Sequence, residues 1–264
     1  GTVPFRNRKV SKKDMLMKSR WLPLISLSLV FSLAWSGIGW AQASREETEY
    51  TARYLATLLE AGRLVVEHNQ TLINDARKGD KGFTPEVFEH EVVDEFIRQT
   101  QIDLKHLPSP LPSLAKELLP VLLRSSKEVV ADAQFVINQR GIGYKNFIPA
   151  TFGSQAAQKF SNRSHAKIKQ TTLNPRNLKN TPDAYEEIVL KRLAAQSASD
   201  TFIAEWIDND TTLRALTPIY YSQDCLACHG NPKGILDISG YPREGAQEGD
   251  LAGAISIQIP LNSR

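Results

Sequence analysis

The sequence is very poor in sulfur. Only two of its 264 residues are cysteine and only two are methionine. Both methionines, Met15 and Met17, lie within the first 43 residues, so the rest of the chain offers no thioether side chain to a metal. Two cysteines are too few for the disulfide framework of a small secreted scaffold. They lie only three positions apart, at Cys225 and Cys228.

The chain also lacks a strong excess of charge of one sign. Its formal net charge of +3 comes from the first 43 residues, which hold seven basic residues and one acidic residue. The remainder carries 25 basic and 28 acidic residues, a net charge of −3. This balance gives no reason to predict nucleic-acid binding. An apolar content of 41% with 23% charged residues is ordinary for a globular protein.

Residues 1–43 are predicted to be a signal peptide with its leader. Lys18 and Arg20 precede the apolar run 22–35, and the small residues Ala41 and Ala43 are typical of a signal-peptidase site. The alternative is an uncleaved membrane anchor, since the apolar stretch nearly reaches spanning length if it extends to Trp40. Either interpretation places the rest of the chain outside the cytoplasm, in the periplasm or otherwise exported, with no other membrane contact.

An internal repeat relates residues 65–96 to residues 129–160 at a constant offset of 64, with eleven identities in 32 positions. The repeated residues of the first copy are Val65, Val66, Gln70, Ile73, Asn74, Gly79, Lys81, Phe83, Pro85, Phe88 and Phe96. Each copy predicts an apolar helix that ends at Ile-Asn, a glycine-containing turn and a second helix opened by proline. Convergence of two similar helical hairpins is the alternative to duplication.

The second half of the chain changes from helical to mixed patterns. We predict strands over Lys167–Leu173, Thr211–Ile219 and Gly253–Ile259, and a helix capped by Thr181 that runs to about Gln196. The fold class is therefore predicted to be α+β, an antiparallel sheet with flanking helices preceded by helical hairpins. The predicted domains after the leader are an N-terminal helical region, 44–128, and a second domain, 129–264.

Cys225, Cys228 and His229 form a C-x-x-C-H motif, the attachment signature of c-type haem. On one helical turn the two thiols lie on the same side, where they can reach the two vinyl groups of a porphyrin, and His229 is held under the iron. Asp224 is predicted to cap this turn and Gly230 to end it. The alternatives are a disulfide, which does not need His229, and a zinc site, which lacks a second ligand pair.

The sixth iron ligand is left open by the residues. Because the chain after residue 43 has no methionine and no third cysteine, the candidates are histidine, lysine, tyrosine, water or nothing. The histidines other than His229 are His68, His90, His106 and His165. We single out His68 and His165 as distal candidates.

Short motifs run from about Val129 towards the C-terminus. They are Arg176-Asn177-x-x-Asn180-x-Pro182-Asp183-x-Tyr185-Glu186, Tyr220-Tyr221, the stretch from Cys225 to Gly234, Asp237-Ile238-x-Gly240-Tyr241, and Gly253-Ala254-Ile255-Ser256-Ile257. With these motifs the chain resembles the exported monohaem c-type cytochromes with a PAS-like fold, which are related to haem-PAS sensors. Tyr185 stands where that family usually has tryptophan.

The resemblance implies a five-stranded antiparallel PAS-like sheet and one covalent haem c, attached through Cys225 and Cys228 and ligated by His229. It also implies sensing of redox state or of a small gas. Some relatives have an additional upstream cysteine suited to distal ligation. Here Phe147–Ala150 occupy that approximate place and supply none.

Four functions fit these observations. The first is an exported haem sensor that responds to redox poise or a diatomic gas and passes the signal to a partner protein. The second is a low-potential periplasmic electron carrier. The third is a weak peroxidase, for which we find no catalytic residues, so we do not expect an enzyme. The fourth is a helical module in which haem only braces the fold. The N-terminal helices are candidates for a homodimer interface.

Overall fold

The computed structural model describes residues 43–196 and 201–261, and it places helices on both faces of an antiparallel sheet. The helices are α1 (Arg45–His68), α2 (Gln70–Ile73), α3 (Pro85–Thr100), α4 (Ser113–Ile137), α5 (Pro149–Ser161), α6 (Ala184–Ala194) and α7 (Leu226–His229). The strands are β1 (Lys167–Thr171), β2 (Ile203–Ile207), β3 (Thr212–Tyr220) and β4 (Leu251–Pro260), in the order β1-β4-β3-β2. The predicted α+β class is confirmed.

The sheet has four strands in the described part of the chain, where the resemblance implies five. The three predicted strands are confirmed to within a few residues, whereas β2 was not predicted. Strand β4, one of the two inner strands, is buried on both faces over most of its length. Ile255, Ile257 and Ile259 pack into the core shared with α1 and α5, and Ala254 packs under α6. The whole sheet is therefore a layer between helices.

The cap of α6 corrects one prediction. The N-cap is Asp183, two residues after the predicted Thr181, and Pro182 precedes the helix instead of opening it. Asp183 Oδ1 accepts from the Glu186 N–H at 2.8 Å, and Glu186 Oε2 accepts from the Asp183 N–H at 2.9 Å. Such a reciprocal capping box needs a glutamate at the third helical position. Glu186 supplies it for Asp183, whereas a helix capped at Thr181 would have Ala184 there.

The predicted helix–turn–helix form is confirmed in both repeat copies, which exchange hydrogen bonds reciprocally. Asn138 Oδ1 accepts from the Lys81 N–H at 2.9 Å, and Asn74 Oδ1 accepts from the Lys145 N–H at 3.0 Å. Two glutamines repeat the exchange: Gln134 donates to the Phe83 carbonyl at 2.9 Å, and Gln70 donates to the Phe147 carbonyl at 2.8 Å. The repeated residues thus contribute equivalent contacts between the copies, and duplication remains our interpretation of the repeat.

Each repeat loop closes around a buried lysine. Lys81 and Lys145 are 2% and 6% exposed. Their ammonium groups donate to carbonyls of their own loops, including those of Lys78 and Ile142. A buried charge must be compensated, so the loop adopts the conformation in which its carbonyls accept from the ammonium group. Burial lowers the pKa of Lys145.

The predicted boundary between residues 128 and 129 falls inside α4, a continuous helix. Residues on both sides of it, such as Leu59 and Ile257, belong to one hydrophobic core. In the part of the chain that the structure describes, no helix is both long and apolar enough to cross a membrane. The predicted signal peptide lies outside the described residues.

We expect Asn74→Ala and Asn138→Ala to lower the free energy of unfolding by similar amounts, about 1–3 kcal/mol each. Either change leaves a partly buried backbone N–H of the other copy without its acceptor. Urea unfolding at pH 7 measures both. The control is Asn162→Ala at the exposed end of α5, which should cost under about 0.5 kcal/mol. A loss for only one of the two repeat asparagines would contradict the reciprocal contact.

Candidate functional site

The C-x-x-C-H motif forms a short helical turn directly after β3, which we call the cysteine turn (residues 223–229). It consists of a 3-10 turn, Gln223–Cys225, followed by α7. Gly230 ends it as predicted: its N–H donates to the Leu226 carbonyl at 2.9 Å, and a Cβ at residue 230 would lie 2.6 Å from that oxygen. Asp224, predicted as the cap, instead lies inside the 3-10 turn, which begins after Ser222. The sequence therefore folds locally into the turn that the motif requires.

Both cysteines are free and half-buried. Cys225 Sγ lies 3.2 Å from the Ser222 hydroxyl, which donates to Glu67 Oε1 at 2.7 Å and so ties the turn to α1. Burial, with the charge of Asp237, raises the pKa of the Cys228 thiol. A raised pKa is the reverse of what a reactive redox thiol needs. In residues 43–196 and 201–261, no group of three His, Cys, Asp or Glu side chains is arranged to hold a metal ion.

The side chain of His229 is oriented by two neighbours. Its Nδ1 lies 2.8 Å from Glu244 Oε2, and its ring lies 4.9 Å from the ring of Tyr221, tilted by 34°. Burial and the charge of Glu244 raise the pKa of Tyr221 to about 12, so the neighbouring phenol stays neutral. A neutral imidazole has one N–H. Donation from Nδ1 to Glu244 leaves the lone pair of Nε2 for a metal.

Arg176 joins the cysteine turn to the segment that follows it, residues 235–245, which we call the closing loop. Its guanidinium donates to both oxygens of Glu244, at 2.7 and 2.9 Å. It also donates to Asp237 Oδ2 at 2.7 Å and to the Cys228 carbonyl at 3.0 Å. Sequence analysis placed Arg176 and Asp237 in the family motifs but gave them no role, and it missed Glu244.

Asp237 is the anchor of the closing loop, with a fully buried side chain. It accepts from the Ser239 hydroxyl and N–H at 2.6 and 2.8 Å and from the Tyr241 N–H at 3.1 Å. Although burial by itself raises the pKa of a carboxyl group, the hydrogen bonds from Ser239 and Arg176 hold the pKa of Asp237 well below its usual range. Asp237 is therefore ionised and fixes Arg176.

In the described residues, neither distal candidate has a hydrogen bond or ion pair with the cysteine turn, although His68 follows Glu67, which binds Ser222. His68 is exposed and lines a surface groove between α1 and α3 with Glu91 and Asp94. His165 precedes β1, and the first residue of β1 pairs with Gln258 near the end of β4. The cysteine turn follows Tyr220, which pairs with Leu251 at the start of β4. His165 thus lies at the opposite end of the sheet.

A residue that sequence analysis missed approaches the turn from the second repeat loop. Burial, with Cys228 and the charge of Asp237 nearby, raises the pKa of Tyr144, and its hydroxyl also interacts with Ser239. The corresponding residue of the first copy is Asp80, which is exposed. This difference between otherwise matching loops is the signal that could have indicated a role for Tyr144.

Apolar side chains are exposed along the closing loop. Ile235, Leu236 and Ile238 are 55%, 64% and 68% exposed, and Tyr241 is exposed beside Arg176. Contiguous exposed apolar residues are uncommon on monomeric proteins and mark interaction sites. This surface therefore suits an apolar ligand or partner next to the cysteine turn.

A family model described as Tll0287-like matches residues 41–260, which is most of the chain. The chain therefore belongs to the Tll0287-like family. The crystal structure of the cyanobacterial heme-protein Tll0287 is similar at 16% identity, over 58% of this chain and 98% of that chain, with a TM-score of 0.41. No curated protein matches the chain.

We expect Asp237→Asn to lower the free energy of unfolding at pH 7 by roughly 1.5–3 kcal/mol, because it removes a buried charged acceptor. The folded-state pKa of Asp237 is depressed, so its stabilisation is complete above the unfolded pKa of about 4 and is lost as the pH falls towards the folded value. Urea unfolding from pH 7 down to pH 3 should show the wild-type and variant free energies converging below about pH 4.

The control for this prediction is Glu248→Gln, which removes an exposed carboxylate of the same region. It should change the free energy of unfolding by less than about 0.5 kcal/mol. A constant difference between wild type and Asp237→Asn across the pH range would contradict a role for the ionised carboxylate.

Proposed function

We propose that this chain is an exported protein with one covalent haem c and that it senses redox state or a diatomic gas for a partner protein. In this proposal Cys225 and Cys228 form thioethers with the porphyrin, and His229 is the proximal ligand. The observation that carries it is the cysteine turn itself: two free thiols and an imidazole share one turn, and Glu244 engages Nδ1 and leaves Nε2 to the iron.

The residues around the turn fit a haem. The raised pKa of the Cys228 thiol does not favour disulfide exchange. The exposed Ile235, Leu236 and Ile238 offer apolar surface for a porphyrin edge. The protein for which the family model is named is described as a cyanobacterial heme-protein, and family membership supports extending haem binding to this chain. When bound, the haem would supply a redox-active iron that can also bind small ligands.

Sensing is favoured by the surroundings of the turn. The side chain of His68 lines the groove between α1 and α3, and His165 lies at the opposite end of the sheet. The chain after residue 43 has no methionine. Two polar side chains approach the turn from the helical part: Glu67, which is bonded to Ser222, and Tyr144, whose phenol has a raised pKa and is neutral. A neutral phenol is a weak iron ligand, so we infer a sixth position that is open or weakly held and can respond to a gas.

Low-potential electron transfer is the second candidate. It is favoured by the partial exposure of Cys225 and Cys228, because a haem held by half-exposed thiols would have an edge near the surface, where a redox partner could approach.

The first test is the visible spectrum of protein matured in cells that carry a haem-attachment system. We expect a c-type spectrum and a mass increase of one haem, both lost in the double variant Cys225→Ala/Cys228→Ala because no thioether can form. Single variants at the same positions are the matched controls, and each should retain one thioether. A wild-type chain without covalent haem would refute the proposal.

The second test is addition of CO to the ferrous protein. A prompt spectral shift is expected, because we infer an open or weakly held sixth position. Sharp six-coordinate bands that CO does not alter would instead indicate a firm internal ligand, and redox sensing or electron transfer would then replace gas sensing. In that case, six-coordinate bands that change in Tyr144→Phe but not in His68→Ala would identify Tyr144 as the internal ligand.

A further inference from the structure

A carboxylate lies behind the imidazole that is proposed to bind iron. Glu244 Oε2 is 2.8 Å from His229 Nδ1, and the hydroxyl of Tyr221, at 3.5 Å, is too distant to compete for the same proton. We propose that Glu244, held by Arg176, is a positioning residue that keeps the His229 proton on Nδ1 and lowers the reduction potential of the haem. This inference rests on the proposed function, which assigns His229 to the iron.

Glu244 is fixed in place. The guanidinium of Arg176 donates to both of its oxygens, and such a fork sets the plane of the carboxylate as well as its position. Arg176 is in turn held by the buried Asp237 and by the Cys228 carbonyl. Oε2 therefore cannot rotate away from Nδ1 without breaking a four-bond network.

A second connection aligns the histidine with this network. The His229 carbonyl accepts from the N–H groups of Gly245 and Ala246 at 3.0 and 2.8 Å. The backbone of His229 is thus tied to the residues that directly follow Glu244. The distance between the imidazole and the carboxylate is consequently fixed by the backbone bonds to His229 as well as by the bonds from Arg176 to the Glu244 side chain.

An anionic acceptor on Nδ1 has a chemical effect on Nε2. A carboxylate draws the Nδ1 proton more strongly than a neutral carbonyl does and raises the basicity of the coordinating nitrogen. A more basic ligand stabilises ferric iron over ferrous iron, and the reduction potential falls. Arg176 shares the charge of Glu244, so the carboxylate remains a hydrogen-bond acceptor and does not take the proton.

The test is the reduction potential of the holoprotein, measured by spectroelectrochemical titration. Glu244→Gln should favour the ferrous state at least tenfold, a rise of about 59 mV for one electron. The matched control is Glu67→Gln, which removes the same charge beside the cysteine turn but leaves the His229 contact intact, and it should change the equilibrium less than threefold. Equal shifts in the two variants, or no shift in Glu244→Gln, would overturn the inference.

Arg176→Lys is the second variant and keeps the net charge. Lysine cannot form the fork, so Glu244 loses its fixed orientation, and we expect a severalfold shift towards the ferrous state. If Glu244 acts only through its charge, Arg176→Lys should leave the reduction potential unchanged. An unchanged potential in Arg176→Lys would therefore overturn the inference, and this test does not depend on Glu244→Gln yielding holoprotein. The hyperfine-shifted His229 ring protons in the ferric NMR spectrum should move in the same variants and stay in place in Glu67→Gln.

These outcomes separate the two proposals. A wild-type chain that carries no covalent haem refutes the proposed function and this inference with it. Wild-type holoprotein with a normal c-type spectrum, together with unchanged potentials in Glu244→Gln and Arg176→Lys, overturns only the role of Glu244.

Discussion

The reciprocal exchange of hydrogen bonds between the two repeat copies is the contact on which the rest of the structure depends. Asn74 and Asn138 each bind a backbone N–H in the loop of the other copy. The rings of Phe88 and Phe152 meet between the copies at 5.2 Å. Each contact is weak alone, but paired contacts of this kind hold α1, α3, α4 and α5 in one arrangement. The sheet packs against the surface that these helices present, through α1 and α5.

The site, like the contact between the repeat copies, is held together by hydrogen bonds between segments that are distant in sequence. Arg176 is separated from Asp237 by 61 residues and from Glu244 by 68, yet it binds both and the cysteine turn as well. Two chain segments, the closing loop and the cysteine turn, thus converge on one guanidinium. A planar cation with five N–H donors can satisfy both at once, which lysine cannot do. The cysteine turn and the closing loop consequently behave as one structural unit.

Local features of this protein could be predicted from the sequence, because each depends on neighbouring residues. The alternation of Ile255, Ile257 and Ile259 predicts β4, and the cysteine spacing predicts the helical turn. Strand β2 was missed although its partner is near in sequence, since it forms a hairpin with β3 in which Ile207 pairs with Thr212. Its five residues are all partly buried, so it lacks the alternation of buried and exposed residues that marks a strand. Glu244 was missed for a different reason: a single glutamate in a loop gives no indication of the distant residues that it contacts.

The loops of the two repeat copies share their structural residues but differ at the position that faces the cysteine turn. Both use a left-handed residue at the same position, Gly82 in one loop and Asn146 in the other, and both bury a lysine. The loops diverge where the second faces the cysteine turn: it carries Tyr144, whereas the first carries the exposed Asp80. Because the reciprocal contacts hold both loops in shape, the side chain at that position is free to vary without loss of the core. Duplication thereby provides a rigid scaffold in which one loop can serve the site and the other can remain purely structural.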